Sequence, residues 1–288
     1  MSDAVPHTLA VIAGRGVYPR LLAESARRQG VAQIVAVAFR RETDRSIERA
    51  ADRTEWIRLG QLQRMLDAIA ASGAAHAVMA GQITPTRLFT VRMDRRMKDL
   101  LRRLPARNAH TIFGAIGEEL RRIGVSLLPA SSFMRAHMPE AGLLARRHPT
   151  PAEERDIALG LEAARTTSAL EIGQTVVVKD GTLLAVEAFE GTDETLRRAG
   201  RLGGRGAVVV KVAKLGHDMR FDIPVIGPRT MKRLRSIRAA ALAVEAGRAI
   251  LLERDRIVAE ADRMGLCLLA VPAPEPGDGG SGAVIGNR

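Results

Sequence analysis

Short apolar runs alternate with longer segments of helical spacing through the first half of the chain. Residues 9–13 (Leu-Ala-Val-Ile-Ala) form one such run, followed by Gly14-Arg15-Gly16 and a helix-like segment over 18–29. Residues 34–39 form a second run, and its continuity suits a strand buried on both faces. The pattern repeats with strands at 56–59, 77–80 and 125–128 and with helices at 62–71 and 109–123. Strands and helices alternating at this spacing predict an α/β domain with a Rossmann-like, doubly wound sheet.

The pattern changes after about Ser132. Residues 133–152 carry Pro139, Gly142, Pro149 and Pro151 among scattered charges and read as a connection. A helix follows over 153–169, its acidic first turn matched to the helix dipole. Runs at 175–178 and 182–186, separated by Lys179-Asp180-Gly181, predict a hairpin. A strand at 207–212 and helices at 229–240 and 254–264 complete the second half. The expected organisation is therefore a Rossmann-like nucleotide-binding domain over 1–135 and a mixed α/β catalytic domain over 136–273. Residues 274–288, rich in Gly, Pro and Ser, read as a disordered tail.

Composition narrows this picture. Of 288 residues 46% are hydrophobic but only 3% aromatic, so the cores must be built from Ala, Leu, Val and Ile. The single cysteine, Cys267, has no partner for an internal disulfide and lies in an apolar run, where it reads as packing. No apolar stretch approaches the roughly 18–20 residues that span a bilayer, and no signal peptide precedes the first run. The chain reads as cytoplasmic.

Charge adds a partner class. Lys+Arg number 44 against 32 Asp+Glu, a net +12 that attracts polyanions of any kind. The shortage of aromatics disfavours stacking on single strands, and no zinc-finger, basic-zipper or RNP-type spacing is present. An anionic substrate, and no nucleic acid, is therefore expected. The densest basic stretch is 87–107, where Met93, Met97, Leu100 and Leu104 recur at helical spacing and Arg92, Arg95, Arg96, Arg102 and Arg103 fall on other faces. That pattern fits either a helix lying on an anionic membrane surface or one packed on the sheet with a solvated face.

Three places are suited to chemistry. Gly14-Arg15-Gly16 falls where a doubly wound sheet presents amides to phosphate. The third small residue of a dinucleotide fingerprint is replaced by Pro19, and Phe39-Arg40-Arg41 stand where an acid would end the second strand. Both features disfavour a nicotinamide-dependent oxidoreductase. A non-catalytic nucleic-acid-binding protein is suggested only by charge. Gly81 and Gln82 follow another strand on the same expected edge, where a glycine lets a ligand approach the backbone. Glu187, Glu190 and Asp193 follow a strand end and could offer hard oxygen ligands to a divalent metal. Lys211, Lys214, Arg220 and Asp222 then bring phosphate clamps beside a carboxylate, a composition that a structural ion-pair network would also produce.

These segments occur together, and in this order, in a known family. Ile12–Gly16, Ala80-Gly81-Gln82, the Leu-Ala-Val-Glu-Ala-Phe-Glu-Gly-Thr-Asp stretch ending at Asp193, Arg220-Phe221-Asp222-Ile223-Pro224 and the run 243–247 resemble the LpxI-type UDP-2,3-diacylglucosamine pyrophosphatases of lipid A biosynthesis in Gram-negative bacteria. The sequence departs from that pattern at Arg15, Gln82, Leu215 and His217. The resemblance implies hydrolysis of the UDP-sugar to UMP and a diacylglucosamine 1-phosphate with Mg2+ as cofactor, substrate between two domains, and a homodimer. It implies Asp222 as catalytic carboxylate. The mechanism expected from these residues has Mg2+ held by Asp222 with Glu187, Glu190 or Asp193, and Lys211, Lys214 or Arg220 offsetting charge on the phosphate oxygens. Gly14, Arg15, Gly16, Gly81, Gln82 and Thr192 are the expected substrate-binding residues. A lipid substrate adds peripheral contact with the inner membrane surface.

Overall fold

The computed structural model describes residues 5–83, 91–106, 109–213 and 223–274. The expected tail beyond Pro274, together with Lys214, Arg220, Asp222 and both ends of the basic stretch 87–107, lies outside the described residues. Two compact units are present. The first takes the described residues up to Ala136 together with Ile223; the second takes the remainder, from His137.

The first unit runs β1 (Thr8–Ala13), α1 (Tyr18–Arg28), β2 (Gln33–Phe39), β3 (Arg53–Ile57), α2 (Leu62–Ala70), β4 (His76–Ala80), α3 (Arg95–Arg103), α4 (Ala109–Arg122) and β5 (Ser126–Leu127). Its sheet has the order β3-β2-β1-β4-β5, and every pairing is parallel. β1 and β2 are buried almost end to end because both sheet faces are covered, which is why they read as unbroken apolar runs. α1 buries Tyr18, Leu22 and Ala26, one face at helical spacing, and carries Pro19 in its first turn, where the missing N–H costs nothing. Ala10, Ile12, Val37, Phe39 and Ile57 meet the apolar sides of α2, α3 and α4. β3 begins three residues before the expected strand. As an edge strand it tolerates Arg53, Thr54 and Glu55 on partly exposed positions, so an apolar-run criterion finds only its end.

α3 decides between the two readings of the basic stretch. Its Met97 and Leu100 are buried in the core, and Asp94 caps it by accepting the Met97 N–H at 2.8 Å. Arg96 pairs with Glu119 at 2.6 Å, while Arg95 and Arg102 both reach Asp99. The apolar face of α3 is thus committed to the core.

The second unit runs β6 (Gly142–Leu143), α5 (Pro151–Ala169), β7 (Thr175–Lys179), β8 (Thr182–Val186), α6 (Thr192–Gly203), β9 (Val208–Lys211), β10 (Val225–Ile226), α7 (Pro228–Ser236), β11 (Ala241–Glu245), β12 (Ile250–Leu251), α8 (Arg254–Met264) and β13 (Cys267–Val271). The main sheet has the order β6-β13-β11-β9-β7-β8. β13, β11 and β9 are parallel, and the direction reverses between β9 and β7. β7 and β8 form the expected hairpin, with Asp180 and Gly181 both at positive φ as a tight primed turn requires.

α5 covers one face of this sheet and α6, α7 and α8 the other. Thr150 and Glu153 cap α5 reciprocally, and Gly160 lets it ride so close that a Cβ there would lie 2.5 Å from Val210 Cγ2. Cys267 is fully buried in β13, a packing position as expected. Within the expected connection, Gly142 and Leu143 pair antiparallel with β13.

Candidate functional site

In the first unit, the strand order reverses at β1, which is flanked by β2 and β4, so the carboxyl ends of β1 and β4 border the crevice where open α/β sheets take ligands. The two glycine segments meet there. The Gly14 N–H donates to the Ala80 carbonyl at 2.7 Å, the Arg15 N–H to the Gln82 carbonyl at 2.7 Å, and the Gln82 N–H returns to the Arg15 carbonyl at 3.2 Å. The glycines permit this closeness. A Cβ on Gly14 would lie 2.7 Å from the Gln82 carbonyl oxygen, and one on Gly81, at φ +90°, 2.7 Å from that of Arg15. Gly81→Ala should therefore lower stability by about 1–3 kcal/mol, read as a depressed melting temperature. An unchanged melt would mean that the clasp is not under steric constraint.

Glu42, three residues beyond β2, is buried, and Arg15 Nε lies 3.5 Å from its carboxylate. This acid lies beyond the strand end itself, where Phe39-Arg40-Arg41 offer none. Thr43 brings it back towards β1, its hydroxyl donating to the Ala13 carbonyl and accepting the Phe39 N–H at 2.9 Å.

In the second unit, the polar group is built where the sheet changes direction. Antiparallel pairing places Thr175, the first residue of β7, opposite Lys211, the last of β9. Lys211 is 7% exposed, and its Nζ donates to the hydroxyls of Thr175 and Thr192, both at 2.9 Å. Thr192, at the start of α6, donates in turn to Glu187 Oε1 at 2.8 Å, and Glu187 Oε2 lies 3.5 Å from the Lys211 ammonium. Burial pushes the Glu187 carboxyl up, but Lys211 and the two threonine hydroxyls outweigh it and hold its pKa below the usual carboxylate range. Beside this group, the carboxylate of Glu245, which ends β11 and is fully buried, accepts the Ala213 N–H at 3.0 Å and meets Arg165 at 3.1 Å.

The structure thus brings together Lys211, Glu187 and Thr192 of the expected residues. The other two carboxylates find different partners: Glu190 takes Arg198 at 2.8 Å, and Asp193 pairs with Arg229. Among the described residues, no group of three His, Cys, Asp or Glu side chains is placed to hold a metal ion. Thr175, Glu245 and Arg165 were not among the expected residues. Thr175 had a usable signal, a hydroxyl opening an otherwise apolar strand directly opposite the lysine.

Residues 8–137 match the LpxI N-terminal domain and residues 140–269 the LpxI C-terminal domain. The chain belongs to the LpxI family. A relative from Caulobacter vibrioides, described as the UDP-2,3-diacylglucosamine pyrophosphatase LpxI, is 31% identical over 280 residues, which span 93% of this chain and 98% of the relative. Solved structures similar to this chain include the ADP complex of the purK N5-carboxyaminoimidazole ribonucleotide synthetase, at 13% identity over 67% of this chain, with a TM-score of 0.28. Another is the biotin carboxylase domain of the Hydrogenobacter thermophilus 2-oxoglutarate carboxylase, at 13% identity over 68% of this chain, with a TM-score of 0.26. The chain spans 44% and 41% of their lengths, and likeness at this level carries no argument. The LpxI N-terminal domain thus carries the glycine clasp and the LpxI C-terminal domain the buried lysine group.

Magnesium, which the LpxI resemblance implies, finds a poor fit among the described carboxylates. Glu187 shares its pocket with an ammonium, and Glu190 and Asp193 are each neutralised by an arginine.

Proposed function

We propose that this chain hydrolyses the pyrophosphate of UDP-2,3-diacylglucosamine to UMP and 2,3-diacylglucosamine 1-phosphate, a step of lipid A biosynthesis. The observation that carries the proposal is the match of both LpxI domains together with the 31% identity to the Caulobacter pyrophosphatase. In this reading water adds to one phosphorus, and the bridging oxygen leaves with the electrons of its P–O bond.

Lys211 supplies a fixed positive charge. Two threonine hydroxyls hold its ammonium, and a charge in a buried setting acts more strongly than a solvated one. It would offset negative charge growing on phosphoryl oxygens without reorganising as the reaction proceeds. Asp222 is assigned as the catalytic carboxylate, with Lys214 and Arg220 as further cationic groups, on the family resemblance of Arg220-Phe221-Asp222-Ile223-Pro224. The glycine clasp, with Arg15 and Gln82, is assigned to substrate binding. Mg2+ enters the proposal on the family resemblance alone, with Asp222 assigned to it. When bound it would neutralise pyrophosphate charge, and the described carboxylates, each paired with a cation, do not form its site. The reading also carries a homodimer and peripheral contact with the inner membrane surface, since burying acyl methylenes at about 0.8 kcal/mol each holds such a substrate at a bilayer.

Purified protein given UDP-2,3-diacylglucosamine and Mg2+ should release UMP, lose that activity to a chelator and regain it when Mg2+ is restored. Folded protein that releases no UMP would overturn the substrate assignment. UMP release that persists in chelator would keep the substrate and remove the metal.

A further inference from the structure

α7 and α8 pack side by side on the second unit, burying Met231 and Leu234 of one and Ile257 and Ala261 of the other. Their outward faces border a groove of about 600 Å3. Arg229, Lys232 and Arg235 line it from the α7 side at steps of three residues. Arg256, Glu260 and Arg263 line it from α8 at steps of four and three, so that each helix contributes one stripe. Five cations and one carboxylate therefore line the groove. Glu260 is 3.9 Å from Arg235, Arg229 is engaged by Asp193 and Arg256 by Glu253. For Lys232 and Arg263, both exposed, no carboxylate lies within 4 Å among the described residues.

We infer that this groove is a docking surface for the phosphate headgroups of an anionic bilayer. The inference rests on the proposed function for its choice of anion. A substrate bearing two acyl chains resides at a bilayer, and a cationic groove on the outer face of α7 and α8 is placed to meet that surface; no described helix is long and apolar enough to cross it. The alternative contact, α3, has its apolar face in the core and Arg95, Arg96 and Arg102 occupied by carboxylates. A second copy of this chain is a poor occupant, because twofold pairing of the groove would oppose two sets of cations. Headgroup phosphates answer the charge, and each Lys or Arg near an anionic leaflet adds to binding.

The test is co-sedimentation with vesicles of phosphatidylcholine, alone or mixed with phosphatidylglycerol, in the absence of substrate. Wild type should bind the anionic vesicles alone and release them as salt rises. The double variant Lys232→Glu/Arg263→Glu should weaken that partitioning by on the order of 10²-fold. The control Arg102→Glu/Arg103→Glu on α3 should change it little. Equal loss in both variants would reduce the effect to net charge and overturn the assignment, as would wild type that ignores anionic vesicles. Displacement by millimolar inorganic phosphate would assign the groove to a free anion instead. Equal affinity for duplex DNA would assign it to polyanions generally, and a changed oligomeric state in the groove variant to contact between copies. Release of UMP from detergent-dispersed substrate should be unaltered in the groove variant. Vesicle binding and UMP release thus fail separately, the first with the groove and the second with the proposed function.

Discussion

Lys211→Met should lower kcat for UMP release by about 10²–10³-fold, the loss seen when a fixed stabilising charge is removed from a reacting oxyanion. The same substitution leaves Glu187 buried opposite a thioether, and breaking a buried pair from one side costs about 3–5 kcal/mol. The two effects are separable. Lys211→Met/Glu187→Gln removes both charges and should regain much of the stability while staying inactive. pH offers a second signature. In wild type the Glu187 pKa is lowered, so its contribution is fully present above the unfolded value of about 4.3 and is lost as pH falls below it. Without the ammonium, burial dominates and raises that pKa, so the single variant should instead lose stability as pH rises through the carboxylate range. Melting temperatures across pH 3–8 would read the two slopes, and parallel curves would remove Lys211 as the partner that sets Glu187.

Asp222→Asn should lower kcat by about 10²–10⁴-fold, the range for loss of a group that handles a proton in the transition state. The substitution is nearly isosteric, so the melting temperature and the affinity for a non-hydrolysable substrate analogue should change little. An assay near wild-type rate would remove Asp222 from the reaction and leave Lys211 to be explained without it. If Asp222 acts chiefly through Mg2+, the variant should also need more of the metal for its residual rate. An unchanged Mg2+ dependence would assign it to proton handling alone.

What could be read in advance follows from how each element is buried. β1 and β2 are covered on both faces, so their apolar runs stand out from the sequence. β11 is buried along its whole length too, yet five residues abutting the α7 segment carry no period that separates strand from helix. α6 carries little apolar signal of its own, since seven of its twelve residues are charged or glycine. The site divides in the same way. Lys211, Glu187 and Thr192 were legible as residue types, but their pairing depends on β7 running against β9, which only the sheet order reveals. Glu187, Glu190 and Asp193 looked like one ligand set because they recur every third residue. The turn after β8 and the start of α6 send them to Lys211, Arg198 and Arg229 respectively.

The burial of one amine also has a chemical consequence. The sequence contains five lysines, of which Lys98 and Lys232 stand in solvent while Lys211 is enclosed by the threonines of β7 and α6. An acylating reagent in excess will mark the two exposed amines at once. It should reach Lys211 far more slowly, since that amine is held by two threonine hydroxyls. Bound substrate, whose phosphoryl oxygens lie against the same ammonium in the proposed function, should slow that one label further.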